Sequence, residues 1–323
     1  MKLSVIITTI KADQALDDCL ESLHSQTLFG FEILVVANGP MSADLKVRVI
    51  RNDQNVGYGS AINQGIRAST SDYILALNDD TVLHPTCLER LVTAMDSRYE
   101  IGMCAPQIRL QTSGLIDSTG MLVARDGSSK QRAHGQPAPA GGRPTHALLP
   151  SGCAALYRRA MLDEIGLFEE DFFLYCEDTD LGLRARWNAW ECVDIPDAVV
   201  EHRYSHSSNK ASALKAYYVE RNRILVVIRD FPIKAVLLSP FHTLVRYFWH
   251  WNLKRQGKGM AAHYESDESI ASVLFRAWRD ALLRLPTAWR QRRQIQRNAR
   301  LSPKQFQKLL DSYRISGREV ASQ

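Results

Sequence analysis

The chain has 323 residues, enough for one large α/β domain or one domain plus an appendage at about 150 residues per domain, and its composition is that of an ordinary globular protein. Its charge is divided: residues 1 to 200 carry 17 basic against 26 acidic side chains, residues 201 to 323 carry 23 against 9, so the two parts are expected to meet different partners. Six cysteines lie far apart with no CxxC pair, which excludes a zinc-binding pattern and a dense disulfide framework and fits reduced thiols in a cytosolic protein.

The first apolar run, LSVIITTI, is too short for a signal peptide and reads as a buried strand. A helix around Ala15 to Ser25 follows, then the strands FEILVVAN and VRVIRN, a helix from Ser60, and the strand YILALND. This alternation predicts a parallel sheet with crossover helices. Ligands of such sheets gather at the carboxyl ends of the strands, where Thr8, Thr9, Asn38, Asn78, Asp79 and Asp80 fall. Between Asn55 and Gly65 the glycines Gly57, Gly59 and Gly65 suggest a phosphate-cradling turn at a helix N-terminus, with a tight strand-to-helix connection as the alternative. The dinucleotide fingerprint fails, because GxGxxG needs a glycine where Ile62 stands. Asn55 and Asn63 add amides able to pair with a base, a ribose or the backbone. Asn78-Asp79-Asp80 offers hard oxygen ligands for Mg²⁺ or Mn²⁺ together with a diphosphate, or forms only a turn.

Residues 111 to 150, rich in Gly, Pro and Ser, read as a long mobile loop with one hairpin. Next, GLFEEDFFLYCEDTD places Glu177, Asp178 and Asp180 behind Phe172, Phe173 and Tyr175. A carboxylate against that apolar wall loses hydration and gains basicity, as a catalytic base needs. Acids directly before LGLRARW are equally what a helix start looks like. His202 and His206 follow another apolar strand and could ligate a metal or contact phosphate, or serve structure alone. Residues 224 to 251 approach a membrane span, but Arg229, Asp230, Lys234 and Arg246 interrupt it, and Pro232 and Pro240 are expected to break its helix. An interfacial location fits better. Val273, Leu274, Ala277, Trp278, Ala281, Leu282 and Leu285 then recur at helical spacing with Arg between them, a basic amphipathic helix that either meets a lipid surface or packs on the domain. The apolar stripe and the acidic first 200 residues argue against nucleic acid as the partner.

Taken in order, LSVIITT, ILVVANG, NVGYGSAINQG, LNDDT before His84-Pro85, SGCAALYRR, GLFEEDFFLYCEDTDL, VEHRYSHSS and YYVERNR make the chain resemble the family 2 glycosyltransferases, especially their bacterial rhamnosyltransferase-like branch. The resemblance implies an α/β, GT-A-type, mostly parallel sheet flanked by helices, with a basic amphipathic helical extension at the C-terminus. It implies a glycosyltransferase domain over residues 1–225, with a nucleotide-sugar half (1–110) and an acceptor and catalytic-base half (111–225); the charge and tryptophans of the basic helical tail over 226–323 point to a membrane surface, with packing on the domain as the alternative.

By the same resemblance, Asp178 corresponds to the catalytic base, with Glu177, Arg221 and Asn222 as acceptor or orienting residues. Asp80 and His202 correspond to the metal site for Mg²⁺ or Mn²⁺, with Asn78 where many members carry Asp. Thr8, Thr9, Asn38, Asp53, Asn55, Gly57, Gly59, Asn63, Asn78 and Asp79 line the donor side. Asp180 is expected to cap the LGLRARW helix. One departure concerns Ala37, which stands where relatives usually place the Asp that binds the donor base, leaving Asn38 or Asp53 to read it. The function implied is inverting transfer of a sugar, with rhamnose as the first candidate, from a nucleoside-diphosphate donor to a lipid-linked or polysaccharide acceptor in cell-surface glycan synthesis. The setting implied is cytoplasmic and peripheral at the inner face of the cell membrane. Two rivals are a sugar-phosphate nucleotidyltransferase, opposed by the absence of glycine in TTIKADQ after the first strand, and a membrane-surface scaffold with a non-catalytic domain.

Overall fold

The computed structural model describes residues 1–41, 45–203 and 212–322. They pack as two compact units: Met1–Met121, Gln131–Phe173 and Trp190–Tyr204 form the first, and Leu122–Lys130, Leu174–Ala189 and Ser205–Gln323 the second.

The first unit begins with β1 (Leu3–Thr9), α1 (Gln14–His24), β2 (Glu32–Asn38), β3 (Arg48–Asn52), α2 (Tyr58–Ala68) and β4 (Tyr73–Asn78). Asp13 caps α1, its carboxylate accepting from the Ala15 and Leu16 amides. There follow β5 (Thr81–Leu83), α3 (Cys87–Ser97), β6 (Ile101–Leu110), β7 (Ile116–Ser118), β8 (Met121–Val123), β9 (Ser129–Gln131), β10 (Thr145–Ala147), β11 (Ala154–Arg158) and α4 (Arg159–Ile165), most of β8 and β9 belonging to the second unit. After α5 (Glu177–Trp187), which belongs to the second unit, β12 (Glu191–His202) closes the sheet. Its order is β10-β12-β6-β11-β4-β1-β2-β3, with β5 on β12 and β7 on β6. Pairing is parallel through β3-β2-β1-β4 and between β6 and β12, while β11 runs against both neighbours.

Alternation along β1 sets the layers. Leu3, Val5 and Ile7 join the core cluster that contains α1 and α3 side chains. Ile6 points to the other face, against α2, where a Cβ at Gly65 would lie 2.4 Å from its Cγ2. Gly65 is thus a close-packing glycine between helix and sheet. Residues 111 to 150 are tied down more than the composition suggested, because β7 and β10 pair with the main sheet and β8 with β9 form the hairpin.

The second unit is helical after α5: α6 (Ala213–Asp230), α7 (Ile233–Arg255), α8 (Ile270–Leu283), α9 (Leu285–Asn298), α10 (Pro303–Ser312) and α11 (Gly317–Ser322). Trp187 stacks on Phe306 with ring centroids 3.9 Å apart. Pro232 separates α6 from α7 as expected, but Pro240 lies inside α7. The carbonyl of Val236, which a proline four residues on cannot serve, instead accepts from Ser239 Oγ at 2.9 Å, so the helix continues. The α8 stripe also differs from the lipid-facing expectation: Val273, Ala277 and Ala281 are buried where α8 packs on α6, and Trp278 Nε1 donates to Glu220 and to Tyr247. Behind them Arg223 pairs with Glu220, and Arg246 bridges Asp126 Oδ2 (2.5 Å) and Glu220 Oε2 (2.8 Å).

Candidate active site

In the first unit, parallel register brings the strand ends together as the sequence implied. Thr8 lies beside Asn78, Thr9 beside Ala37, and Asn38 beside Asn52, with the exposed Asp53 next along. Thr9 Oγ1 is engaged with the backbone of Lys11. Burial pushes the Asp79 carboxyl up to about 6, a hydrogen bond from Thr9 opposes it, and the charges of Asp80 and Asp13 add to it.

The glycine turn between β3 and α2 makes close backbone contacts of its own. Gly57 holds φ +89°, and a Cβ there would lie 2.5 Å from the Phe173 carbonyl oxygen. Three amides of the turn are engaged within the chain: Val56 N donates to Asn38 Oδ1, Gly57 N to Asn55 Oδ1, and Tyr58 N to Phe173 O. Asn38 in turn donates to Asn55 Oδ1 and Gly57 O. Asn63 is fully buried, donating to Phe168 O and Glu170 Oε1 and accepting from Phe168 N. Asn38, Asn55 and Asn63 are therefore braces of the turn and of the 168–170 segment, and Gly59 is buried in the first turn of α2.

Asp80 is buried beside β12, with His202 Nε2 3.4 Å from its Oδ1. His202 Nδ1 meets Asp117 Oδ2 at 2.8 Å, and His134 Nδ1 lies 3.2 Å from the other Asp117 oxygen. Burial opposes charge on the His202 ring, but Cys153, Asp117 and Asp80 around it hold its pKa well above the usual histidine range. No group of three or more His, Cys, Asp or Glu side chains is arranged to enclose a metal among the described residues. Asp80 and His202 still fit an ion that completes its shell with phosphate oxygens and water, with Asp117 orienting the imidazole from behind. Sequence reasoning missed Asp117 because it lies 85 residues from His202, in a stretch that reads as loop. His206 lies outside the described residues.

In the second unit, α5 starts at Glu177, so the acidic run is the first turn of a helix. The backbone enters it through strained conformations: Phe173, Tyr175 and Cys176 have φ of 62°, 69° and 69°. Asn222 holds this turn by donating its amide hydrogens to Leu174 O (2.9 Å) and Tyr175 O (2.8 Å), and Arg221 Nε donates to Asn222 Oδ1 at 2.8 Å. The Arg221 guanidinium also lies over the Tyr218 ring, 4.8 Å from its centroid. Asp178 is half-buried, its Oδ1 accepting from Thr179 N at 2.6 Å with the Thr179 hydroxyl 3.2 Å away and 3.0 Å from Ser129 Oγ.

Glu177 is the acid that desolvation perturbs, its carboxyl pushed up to about 8 by burial and by the charges of Asp178 and Asp180, and its Oε2 has no hydrogen-bond partner among the described residues. Asp180 does not cap the helix, whose N-cap is Cys176. Its place four residues inside turns it toward Arg184 (2.8 Å) and Arg229 (3.0 Å), which hold it below the usual carboxylate range despite complete burial.

A mixed sheet flanked by helices is the plan of the GT-A glycosyltransferases. The solved structure of GalNAc-T7 with UDP, GalNAc and Mn²⁺ shares this fold, with a TM-score of 0.60 at 15% identity over 87% of this chain and 54% of that one. The mannosyltransferase PcManGT of Pyrobaculum calidifontis, with GDP-Man and Mn²⁺, gives 0.54 at 14% identity over 91% and 84%. Residues 4–166 match the model of Glycosyl transferase family 2, and the chain belongs to that family and is a glycosyltransferase. It is 28% identical to the uncharacterized glycosyltransferase YwdF of Bacillus subtilis, over 74% of this chain and 90% of that protein. It is 26% identical to the N-acetylglucosaminyl-diphospho-decaprenol L-rhamnosyltransferase of Mycobacterium tuberculosis, over 67% and 81%. The family match ends before Glu177, so the acidic pair rests on its own geometry.

Proposed function

We propose that this glycosyltransferase moves a sugar, with rhamnose as the first candidate, from a nucleoside-diphosphate donor to a hydroxyl of a lipid-linked or polysaccharide acceptor, with inversion at the anomeric carbon. Cell-surface glycan synthesis is the setting, at the inner face of the cell membrane. The rhamnosyl and lipid-linked parts are supported by the mycobacterial relative's name, and the donor class by the nucleotides in the related structures.

The observation that carries the chemistry is the braced, strained turn that delivers Asp178 with one oxygen fixed by Thr179. Asp178 takes the proton of the acceptor hydroxyl as that oxygen bonds to the anomeric carbon. The bond from that carbon to the diphosphate oxygen breaks, and its electron pair leaves with the nucleoside diphosphate. Asp80 and His202 would hold Mg²⁺ or Mn²⁺, whose chemistry is to offset charge on the leaving diphosphate. Donor recognition is assigned to the strand ends around Thr8, Asp53, Asn78 and Asp79, with Ala37 leaving base recognition to neighbours other than a carboxylate at that position.

The test is a panel of nucleoside-diphosphate sugars, screened with Mg²⁺ or Mn²⁺ for nucleoside diphosphate release with and without a polyprenyl-diphosphate-linked sugar. Release that depends on the acceptor from one donor supports the reading. Activity with no donor in the panel overturns it.

A further inference from the structure

We propose that the outer face of α7 is a docking face for an anionic lipid bilayer. This deepens the membrane-peripheral part of the proposed function and can fail separately from it.

Along α7, Leu237, Phe241, Leu244, Phe248 and Trp251 follow one another at spacings of four and three, which places them on one stripe about 21 Å long. They are 73%, 63%, 66%, 54% and 54% exposed, where a helix packed on its own domain would bury such residues. The same spacing continues to Lys234 at one end and Arg255 at the other, and the Arg255 guanidinium lies 4.9 Å from the centre of the Trp251 ring. Ends of this kind let charged heads reach phosphates while their stems follow the apolar stripe down. The opposite side of α7 is committed inward, through Thr243 and Arg246.

Next to the stripe, Val236 of α7 and Leu285, Pro286 and Trp289 of α9 line an apolar groove of about 560 Å³, with Arg290 and Arg293 also in its wall. Neither α7 nor α9 contains a single acidic residue. That decides between the possible occupants. A second copy of this chain would bring Lys234, Arg255, Arg290 and Arg293 against the same cations with no carboxylate on these helices to receive them. An anionic bilayer supplies hydrocarbon for the stripe and phosphates for the cations. No helix among the described residues is long and apolar enough to cross a membrane, so α7 would lie in the interface plane.

The experiment uses the full chain and sedimentation with vesicles of phosphatidylglycerol and phosphatidylcholine, against vesicles of phosphatidylcholine alone. The wild type is expected to pellet with the anionic vesicles. The triple variant Phe241→Ser, Phe248→Ser and Trp251→Ser, which alters only exposed or rim positions, is expected to lose at least about tenfold in vesicle affinity while keeping its circular dichroism and melting temperature. Lys234→Glu with Arg255→Glu is expected to weaken binding to anionic vesicles selectively. Phe275→Ser, on α8 outside the stripe, is the control and should bind as the wild type does. Equal binding by the triple variant, or no vesicle binding by the wild type, overturns the proposal. So does a wild-type dimer in light scattering that the triple variant converts to monomer. Vesicle binding through α7 together with transfer to water-soluble saccharides alone would leave the docking face standing and remove the lipid-linked acceptor.

Discussion

Asn222 gives both hydrogens of its side-chain amide to the carbonyls of Leu174 and Tyr175, one turn of backbone before the acidic pair. Tyr175 and Cys176 sit in left-handed conformations that cost on the order of 1–3 kcal/mol each, and such residues persist only where surrounding contacts over-determine them. Asn222→Ala removes that hold. We expect kcat to fall by roughly tenfold or more with the donor KM nearly unchanged, and stability to fall by about 1–2 kcal/mol for the two part-buried hydrogen bonds lost. Steady-state kinetics and urea denaturation check both numbers. Unchanged kcat would show that the turn keeps its shape without Asn222.

Asp178→Asn keeps the shape of the side chain and the hydrogen bond from Thr179 but removes the proton acceptor. Transfer should drop by about 10²–10⁴, the range typical of a lost general base, while titration calorimetry shows donor binding intact. Turnover near wild type would take the base role away from Asp178.

Much of this was legible in the sequence because the signals are local. The strand and helix alternation, the acids at strand ends and the acidic pair all follow from spacing, and the order of motifs carried the family. What escaped depended on contacts remote in sequence. Asp180 looks like a cap, but burial between Arg184 and Arg229 makes it an ion-pair residue. Asn63 looks like a ligand for a nucleotide, and a segment more than 100 residues away takes its hydrogen bonds. The α8 stripe and the α7 stripe are both apolar and basic in sequence. Packing alone decides that α8 turns its small residues inward and α7 leaves its aromatics out.

Asp117 fixes His202 from the side away from Asp80, so Asp117→Asn should weaken metal use without removing a ligand. Partners that orient a ligating histidine are worth about 10–100-fold in metal affinity. The Mn²⁺ concentration giving half-maximal activity is expected to rise within that range, and Asp80→Ala to raise it further or abolish activity. An unchanged Mn²⁺ dependence in both variants would remove the Asp80 and His202 assignment.

Glu177 makes a prediction about pH that is independent of activity. Its folded carboxyl titrates at about 8 and its unfolded one near the ordinary value of 4.5. Between those values the folded chain holds a proton that the unfolded chain has lost, so stability falls as pH rises, by about 1.4 kcal/mol per pH unit at the steepest. Below the ordinary value both states are protonated and the penalty is absent; above the folded value both are ionised and it is constant, on the order of a few kcal/mol. Glu177→Gln keeps the neutral form permanently. The variant should match the wild type at pH 4.5 and grow progressively more stable than it up to pH 8, when unfolding is followed by urea titration across that range. Parallel stability profiles for the two proteins would mean that the folded carboxyl is charged at neutral pH, and would return Glu177 to the set of anionic groups at the start of α5.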